Sequence, residues 1–315
     1  MKNVAILLST YNGERFLSEQ INSILTQNYK DWKLYIRDDG STDNTQQIIR
    51  KYANQDSRII FTNEDNVTNV GVKRSFFTLL QNANADYYMF CDQDDVWLPD
   101  KVSETVAVAS EDAPLLIHTD LKVVDSTLNT LGLMYDNDFH DAFHDALFSN
   151  SVTGCTMLLN QKLKNIILSL PYDTNKIVMH DWWFSLIAAT FGKIIFLKKP
   201  NILYRQHGDN TFGANVTAFQ RLQRLFKMKK EVKRFAEAYV QDNYFYDICF
   251  DQLNVTQKSL LKAINLIFTG NNGLHAARIL AKYRIRKTTL KGTLMLWYVS
   301  IFKFKEMKVI WSHYE

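Results

Sequence analysis

Three aspartates close an apolar run: Tyr87-Tyr88-Met89-Phe90-Cys91 leads directly into Asp92-Gln93-Asp94-Asp95. Carboxylate oxygens are hard ligands that suit Mg2+ or Mn2+, ions that usually also keep water and phosphate oxygens in their shells. A cation held by Asp92 and Asp94 would neutralise a diphosphate and help it leave. The same residues could instead be an acidic turn capping the next helix, with Pro99 as a stop. Two more polar clusters follow apolar runs, Ser9-Thr10-Tyr11-Asn12-Gly13-Glu14 and Asp38-Asp39-Gly40-Ser41. Asp181 stands before Trp182-Trp183, and His207 follows Arg205-Gln206.

The elements that must carry these groups alternate between two periods. Val4–Ser9 and Tyr87–Cys91 are compact apolar runs, read as buried strands. Trp32–Arg37 and Ile59–Thr62 are further strands. Helical spacing runs through Glu14–Gln27, Thr45–Tyr52 and Val72–Asn82. Such alternation predicts a parallel sheet with helices on its faces, where ligands bind beyond the carboxyl ends of the strands. The three polar clusters sit at three such ends. Farther on, strands are expected at Leu115–Thr119, Leu121–Val124, Gly154–Leu159, Gly192–Leu197 and Ile202–Gln206, with a helix at Asp181–Thr190. Residues 136–149 read as a loop or a short amphipathic helix. From about Val216 the pattern is helical to the end, which sets the expected units at 1–215 and 216–315.

Taken in order, these pieces resemble the inverting glycosyltransferases of family 2. The matching segments are Ser9-Thr10-Tyr11-Asn12, Arg37-Asp38-Asp39-Gly40-Ser41-Thr42-Asp43, Asn69-Val70-Gly71, Asp92-Gln93-Asp94-Asp95-Val96-Trp97, His180-Asp181-Trp182-Trp183 and Tyr204-Arg205-Gln206-His207-Gly208-Asp209-Asn210. Each piece is loose, but the ordered set is specific and spans about two thirds of the chain. The wording is most similar to bacterial rhamnosyltransferase-like members that build surface polysaccharide. The resemblance implies an α/β fold of the GT-A type, a mixed and mostly parallel sheet flanked by helices, followed by a C-terminal helical region. It implies transfer of a sugar from a dTDP or UDP donor, with L-rhamnose from dTDP-rhamnose expected first and glucose, galactose, N-acetylglucosamine or galactofuranose from UDP donors as alternatives.

The resemblance also assigns roles. Thr10, Tyr11, Asn12 and Glu14 would line the base pocket, where a tyrosine can stack on the base and contribute roughly 1–3 kcal/mol. Asp39 would accept from a pyrimidine imide N–H, although it could equally cap a helix with Ser41. Gly71 and Lys73 would close over the nucleoside and phosphates, with Gln93 and Arg205 also at the donor. Asp92, Asp94 and His207 would hold Mn2+ or Mg2+. Asp181 would be the general base that deprotonates the acceptor hydroxyl, a role that needs one carboxylate and no covalent intermediate. Asp95, Trp97, Lys101, Gly154, Cys155, Trp182 and Trp183 would touch sugar or acceptor, although core packing is the plainer reading for the tryptophans.

Charge is unevenly spread. Residues 216–315 carry 18 Lys+Arg against 7 Asp+Glu, so the tail is +11 where the whole chain is +4. Basic helical segments edged by Trp297 and Tyr298 suit an anionic membrane surface, and with it a saccharide or polyprenyl-diphosphate-linked glycan acceptor. A helical hairpin on the catalytic domain or a homodimer interface would use the same pattern. No recognition motif accompanies the charge, so nucleic acid is not expected. Cys91, Cys155 and Cys249 form neither a disulfide framework nor a CxxC site. No signal peptide or membrane-spanning run is read, and a cytoplasmic enzyme, peripheral on the inner face of the plasma membrane, fits best. The first strand lacks a GxGxxG and a glycine-rich phosphate loop, which disfavours a dinucleotide oxidoreductase and a nucleotidyltransferase. A non-catalytic carbohydrate-binding module would have no need of Asp94, Asp181 and His207 together.

Overall fold

A computed structural model describes residues 2–135, 143–206, 220–287 and 290–314. The chain divides into two compact units. The first comprises 1–139, 152–169 and 191–215, and the second 140–151, 170–190 and 216–315.

The first unit begins with β1 (Val4–Thr10), α1 (Leu17–Leu25), β2 (Trp32–Asp38), α2 (Thr45–Gln55), β3 (Ile59–Phe61), α3 (Val72–Asn82) and β4 (Tyr87–Cys91). β5 (Val96–Trp97), α4 (Lys101–Ala107), β6 (Leu115–Val124) and β7 (Thr130–Leu133) follow. After α5 (Phe143–Phe148), which belongs to the second unit, come β8 (Met157–Asn160) and α6 (Gln161–Ser169). α7 (His180–Phe191) then leads into β9 (Lys193–Arg205). The strands form one sheet in the order β3-β2-β1-β4-β8-β6-β9-β5, with β7 on β6. Its first four strands are parallel, β8 runs antiparallel to both neighbours, and β6 and β9 are parallel to each other.

Burial on both faces explains the unbroken apolar runs of β1 and β4. Val4, Ile6 and Leu8 join Leu17, Ile21 and Ile24 of α1 and Ile49 of α2 in one core. On the other side Phe90 of β4 meets Phe76 of α3 at 5.7 Å between ring centres. The alternation thus fixes β1, β2 and β4 so that their carboxyl ends, Thr10, Asp38 and Cys91, lie on adjacent strands.

Two expectations change. The segments read separately at 115–119 and 121–124 are one strand, and so are 192–197 and 202–206. Lys198-Lys199-Pro200 interrupts the apolar pattern, and the β6–β9 ladder absorbs it as a register shift in which Asp120 pairs with Pro200. Gly154–Thr156 is a 3-10 turn, and the strand starts only at Met157.

The second unit is helical, built around α8 (Gln220–Cys249) with α9 (Val255–Thr269), α10 (Gly273–Lys282), α11 (Leu290–Phe302) and α12 (Phe304–Trp311). Asn254 and Gln257 cap α9 reciprocally, satisfying donors that a helix start leaves unpaired. Aromatic packing ties α8 to its neighbours: Tyr239 meets Phe148 at 5.8 Å and Phe268 at 5.1 Å between ring centres. Among the described residues no helix is long and apolar enough to cross a membrane.

Candidate active site

The loops after β1 and β2 are bolted together by side chains. Asp38, fully buried, accepts from Thr10 Oγ1 at 2.8 Å, from Ser41 N at 2.8 Å and from Ser41 Oγ at 2.5 Å. Ser41 Oγ in turn accepts from Asn12 N at 2.8 Å, and Asn12 Oδ1 accepts from Thr42 N at 2.9 Å. Asn12 holds a left-handed φ of 48°, a conformation that asparagine tolerates better than most residues. Glu14 Oε2 accepts from Asn44 N at 2.9 Å and Nδ2 at 2.8 Å. Glu14 is therefore spent on the second loop.

Asp39 anchors a third loop. Its Oδ1 accepts from Arg37 Nη1 at 2.8 Å and Val70 N at 2.8 Å, and its Oδ2 from Gly71 N at 2.9 Å. Gly71 has φ of 81° and opens α3, a backbone region where a side chain would be strained. Lys73 stands in the first turn of that helix. Arg37 also donates to Ser75 Oγ and to the Thr68 carbonyl, and nothing about Arg37 alone in the sequence revealed this brace.

Gln93 joins the acidic loop to the first one. Its Oε1 accepts from Tyr11 N at 2.9 Å and its Nε2 donates to Tyr11 O at 3.0 Å. The main chain of Tyr11 is thereby pinned while its ring stays 51% exposed. A Cβ on Gly13 would come within 2.4 Å of Gln93 Oε1, so the glycine makes room for this amide.

In the acidic loop, Asp92, Asp95 and Cys155 bring one ligand atom each within 4.8 Å of one another. Asp95 is fully buried. Its Oδ1 accepts from Arg205 N at 3.1 Å, and its Oδ2 has no hydrogen-bond partner. Burial, and then the Asp94 and Asp92 charges, hold its carboxyl well above the usual range, against a hydrogen bond from the Cys155 thiol. Burial likewise pushes Cys155 up, so it stays a thiol, and Asp95 would give up its proton to serve with Asp92 as a hard oxygen donor. A buried carboxylate oxygen without a partner beside two more aspartates is a donor set that a divalent cation would satisfy. The residues fit such an ion.

Several expectations are corrected here. Asp95, expected at sugar or acceptor, sits in the candidate cation cluster. The turn at 93–94 brings Asp92 and Asp95 together, as residues i and i+3 of a turn approach each other. Arg205, expected at the donor, is 2% exposed. Its Nε donates to Asp94 O at 2.9 Å, its Nη1 to Ser126 O at 2.8 Å, and its Nη2 pairs with Glu19. It shapes the acidic loop instead of facing a ligand. Trp97 and Lys101, expected at donor or acceptor, are 1% and 0% exposed, with Lys101 Nζ over the Trp97 ring at 4.7 Å. Cys155 is wholly buried and Gly154 is buried beside it, so neither surfaces at a sugar. His207 lies outside the described residues.

In the second unit, Asp181 occupies the first turn of α7, part-exposed, and its Oδ1 accepts from Trp182 N at 2.7 Å. The two tryptophans expected as an apolar sugar wall next to it are buried. Trp182 is 3% exposed, with Nε1 donating to Ala146 O at 2.5 Å, and Trp183 is fully buried, stacked on Tyr244 at 5.7 Å. The two indoles are helix core.

The curled mixed sheet, with an acidic turn at a strand end, defines a GT-A type glycosyltransferase. Residues 5–167 match the glycosyl transferase family 2 profile. The chain belongs to that family and is an enzyme of the glycosyltransferase class. It is similar to the dTDP-rhamnosyl transferase RfbG of Shigella flexneri, 29% identical over 251 residues that cover 75% of this chain and 86% of RfbG. It is also similar to the UDP-Glc:alpha-D-GlcNAc-diphosphoundecaprenol beta-1,3-glucosyltransferase WfgD of Escherichia coli, 28% identical over 152 residues, 48% of this chain and 49% of WfgD. Among solved structures, S. aureus TarS 1–349 in complex with UDP-GlcNAc superposes with a TM-score of 0.56 at 16% identity, covering 99% of this chain and 91% of TarS 1–349. That likeness concerns the fold.

Proposed function

We propose that this enzyme transfers L-rhamnose from dTDP-rhamnose, with inversion, to a saccharide or lipid-linked glycan in surface-polysaccharide synthesis. The observation that carries the donor assignment is the similarity to a dTDP-rhamnosyl transferase along 86% of that relative. The pinned loops supply the nucleoside seat. Tyr11 presents its exposed ring for stacking on the base, with Thr10, Asn12 and Glu14 fixing the loop beneath it. Three of the roughly four lone-pair positions of the Asp39 carboxylate are taken, which leaves capacity for one thymine imide N–H. Gly71 and Lys73 stand where α3 opens, and Lys73 would reach a phosphate.

Asp92, Asp94 and Asp95 would hold Mn2+ or Mg2+, and His207 would add a nitrogen donor. When bound, the cation neutralises charge on the departing diphosphate. Asp181 takes the proton from the acceptor hydroxyl as that oxygen attacks the anomeric carbon. The bond from that carbon to the diphosphate oxygen breaks on the opposite side, and dTDP leaves. The basic C-terminal region would bring the enzyme to an anionic membrane on the cytoplasmic face, where a polyprenyl-diphosphate-linked acceptor resides. A UDP-hexose donor is the second reading, favoured by the similarity to WfgD.

A donor panel with Mn2+ tests this. Release of dTDP from dTDP-rhamnose, with a product of inverted anomeric configuration by NMR, is the expected result. Turnover of UDP-glucose with none of dTDP-rhamnose would overturn the donor assignment. Asp181→Asn should lower transfer by about 10²–10⁴-fold with dTDP affinity unchanged, and full activity would require another base.

A further inference from the structure

Helix α11 buries Leu296, Val299 and Ser300 and leaves Leu290, Leu294, Tyr298 and Phe302 exposed at 76%, 62%, 41% and 72%. The exposed four recur every fourth residue, so they stack as one ridge along the helix. The rings of Tyr298 and Phe302 touch, with centres 5.3 Å apart. Soluble surfaces seldom leave so many large apolar side chains side by side, and such patches mark contact sites. A ridge on a 13-residue helix cannot span a bilayer, but it has the length of an interfacial anchor.

Charge settles what covers it. Lys282, Arg284 and Arg286 are exposed just before α11, Lys291 is exposed in its first turn, and Lys305 follows it. Among the described residues Arg286 and Lys287, with His144 and Asp145 of α5, line an open cleft of about 400 Å³. Among the described lining residues the carboxylate is Asp145, 3.3 Å from His144 Nδ1. Lys287 Nζ donates to the Phe148 carbonyl at 3.3 Å. Burial first, and Arg234 next, hold Lys287 down to about 8, against Glu231 and Asp145. Among the described lining residues Arg286, Lys287 and the His144 imidazole face one carboxylate, and such donors suit a phosphoryl group.

We propose that this face is a lipid-surface site in which the α11 ridge enters the acyl boundary of an anionic bilayer and the Arg286–Lys287–His144 cavity takes a headgroup phosphoryl. The proposal rests on the reading that the basic region meets a membrane, and it assigns the surface that does so. The whole chain is sedimented with phosphatidylcholine vesicles, with and without phosphatidylglycerol. The wild type binds the phosphatidylglycerol vesicles. Leu294→Ser/Phe302→Ser lowers that binding about tenfold or more, and Arg286→Gln/Lys287→Gln removes most of the preference for phosphatidylglycerol. Both variants keep donor hydrolysis, since neither touches the sugar-transfer machinery, and an Arg286→Gln variant alone, which leaves the Lys287 bond to Phe148 in place, keeps the wild-type melting temperature.

A wild type that does not sediment overturns the membrane reading and this site together. A wild type that sediments while both variants sediment equally overturns only this site. A dimer in solution that Leu294→Ser/Phe302→Ser dissociates, with no vesicle binding, assigns the ridge to a second copy and overturns the proposal. Inorganic phosphate that binds the cavity without any vesicle binding assigns it to soluble anions and overturns it as well.

Discussion

A methyl group at residue 13 would dislodge the Gln93 amide from the Tyr11 main chain. Two hydrogen bonds at roughly 1 kcal/mol net each set the scale, so Gly13→Ala should destabilise by about 1–2 kcal/mol. Gln93→Ala should cost about the same, and the double variant little more, because both remove one interaction. Additive melting losses would show that Gly13 acts elsewhere. At this scale residue types in the sequence marked the acidic turn but not its internal geometry. Spacing favoured Asp92 with Asp94 where the chain turns at the strand end, whereas the turn gathers Asp92 and Asp95. Side chains that could face ligand or core were the harder cases. Arg205, Trp97, Lys101, Trp182 and Trp183 all went inward, because spacing within a short motif does not say which face meets the sheet or the neighbouring helix.

Among elements, β1 and β4 were legible because burial on both faces leaves an unbroken apolar run, β2 because Trp32, Leu34 and Ile36 alternate with Lys33 and Tyr35, and α3 because its period is regular. β5 and β7 were not, since two and four residues are too few for a period to appear. The 69–71 loop is held by a buried ion pair: Arg37 and Asp39 side chains are each 6% exposed. Removing one partner of such a pair costs about 3–5 kcal/mol. Asp39→Ala should lower the melting temperature by that equivalent in the absence of any nucleotide and loosen the start of α3, as amide exchange at Ser75 would report. Unchanged stability with weaker dTDP binding would make Asp39 a ligand contact and not an anchor.

For the molecule as a whole, two buried histidines contribute to its response to acid. Burial holds His118 of β6 and His180 of α7 down to about 3 each, against about 6.5 in an unfolded chain. Between these values the unfolded state binds more protons, so stability rises with pH and is lost as pH falls below 6.5. From pH 7.5 to 5.5 each histidine should contribute a loss of about 1 kcal/mol, and His118→Phe, which keeps the ring stacked on Phe196, should flatten the dependence. A slope unaltered by that substitution would place the acid sensitivity elsewhere. Calorimetric titration of dTDP with and without Mn2+ reports whether the aspartates after β4 bind a cation together with a nucleoside diphosphate. Mn2+ should tighten dTDP binding to the wild type by about tenfold or more, worth about 1.4 kcal/mol, and leave Asp92→Ala/Asp94→Ala unaffected. An equal response to Mn2+ in that variant would place the cation away from these aspartates.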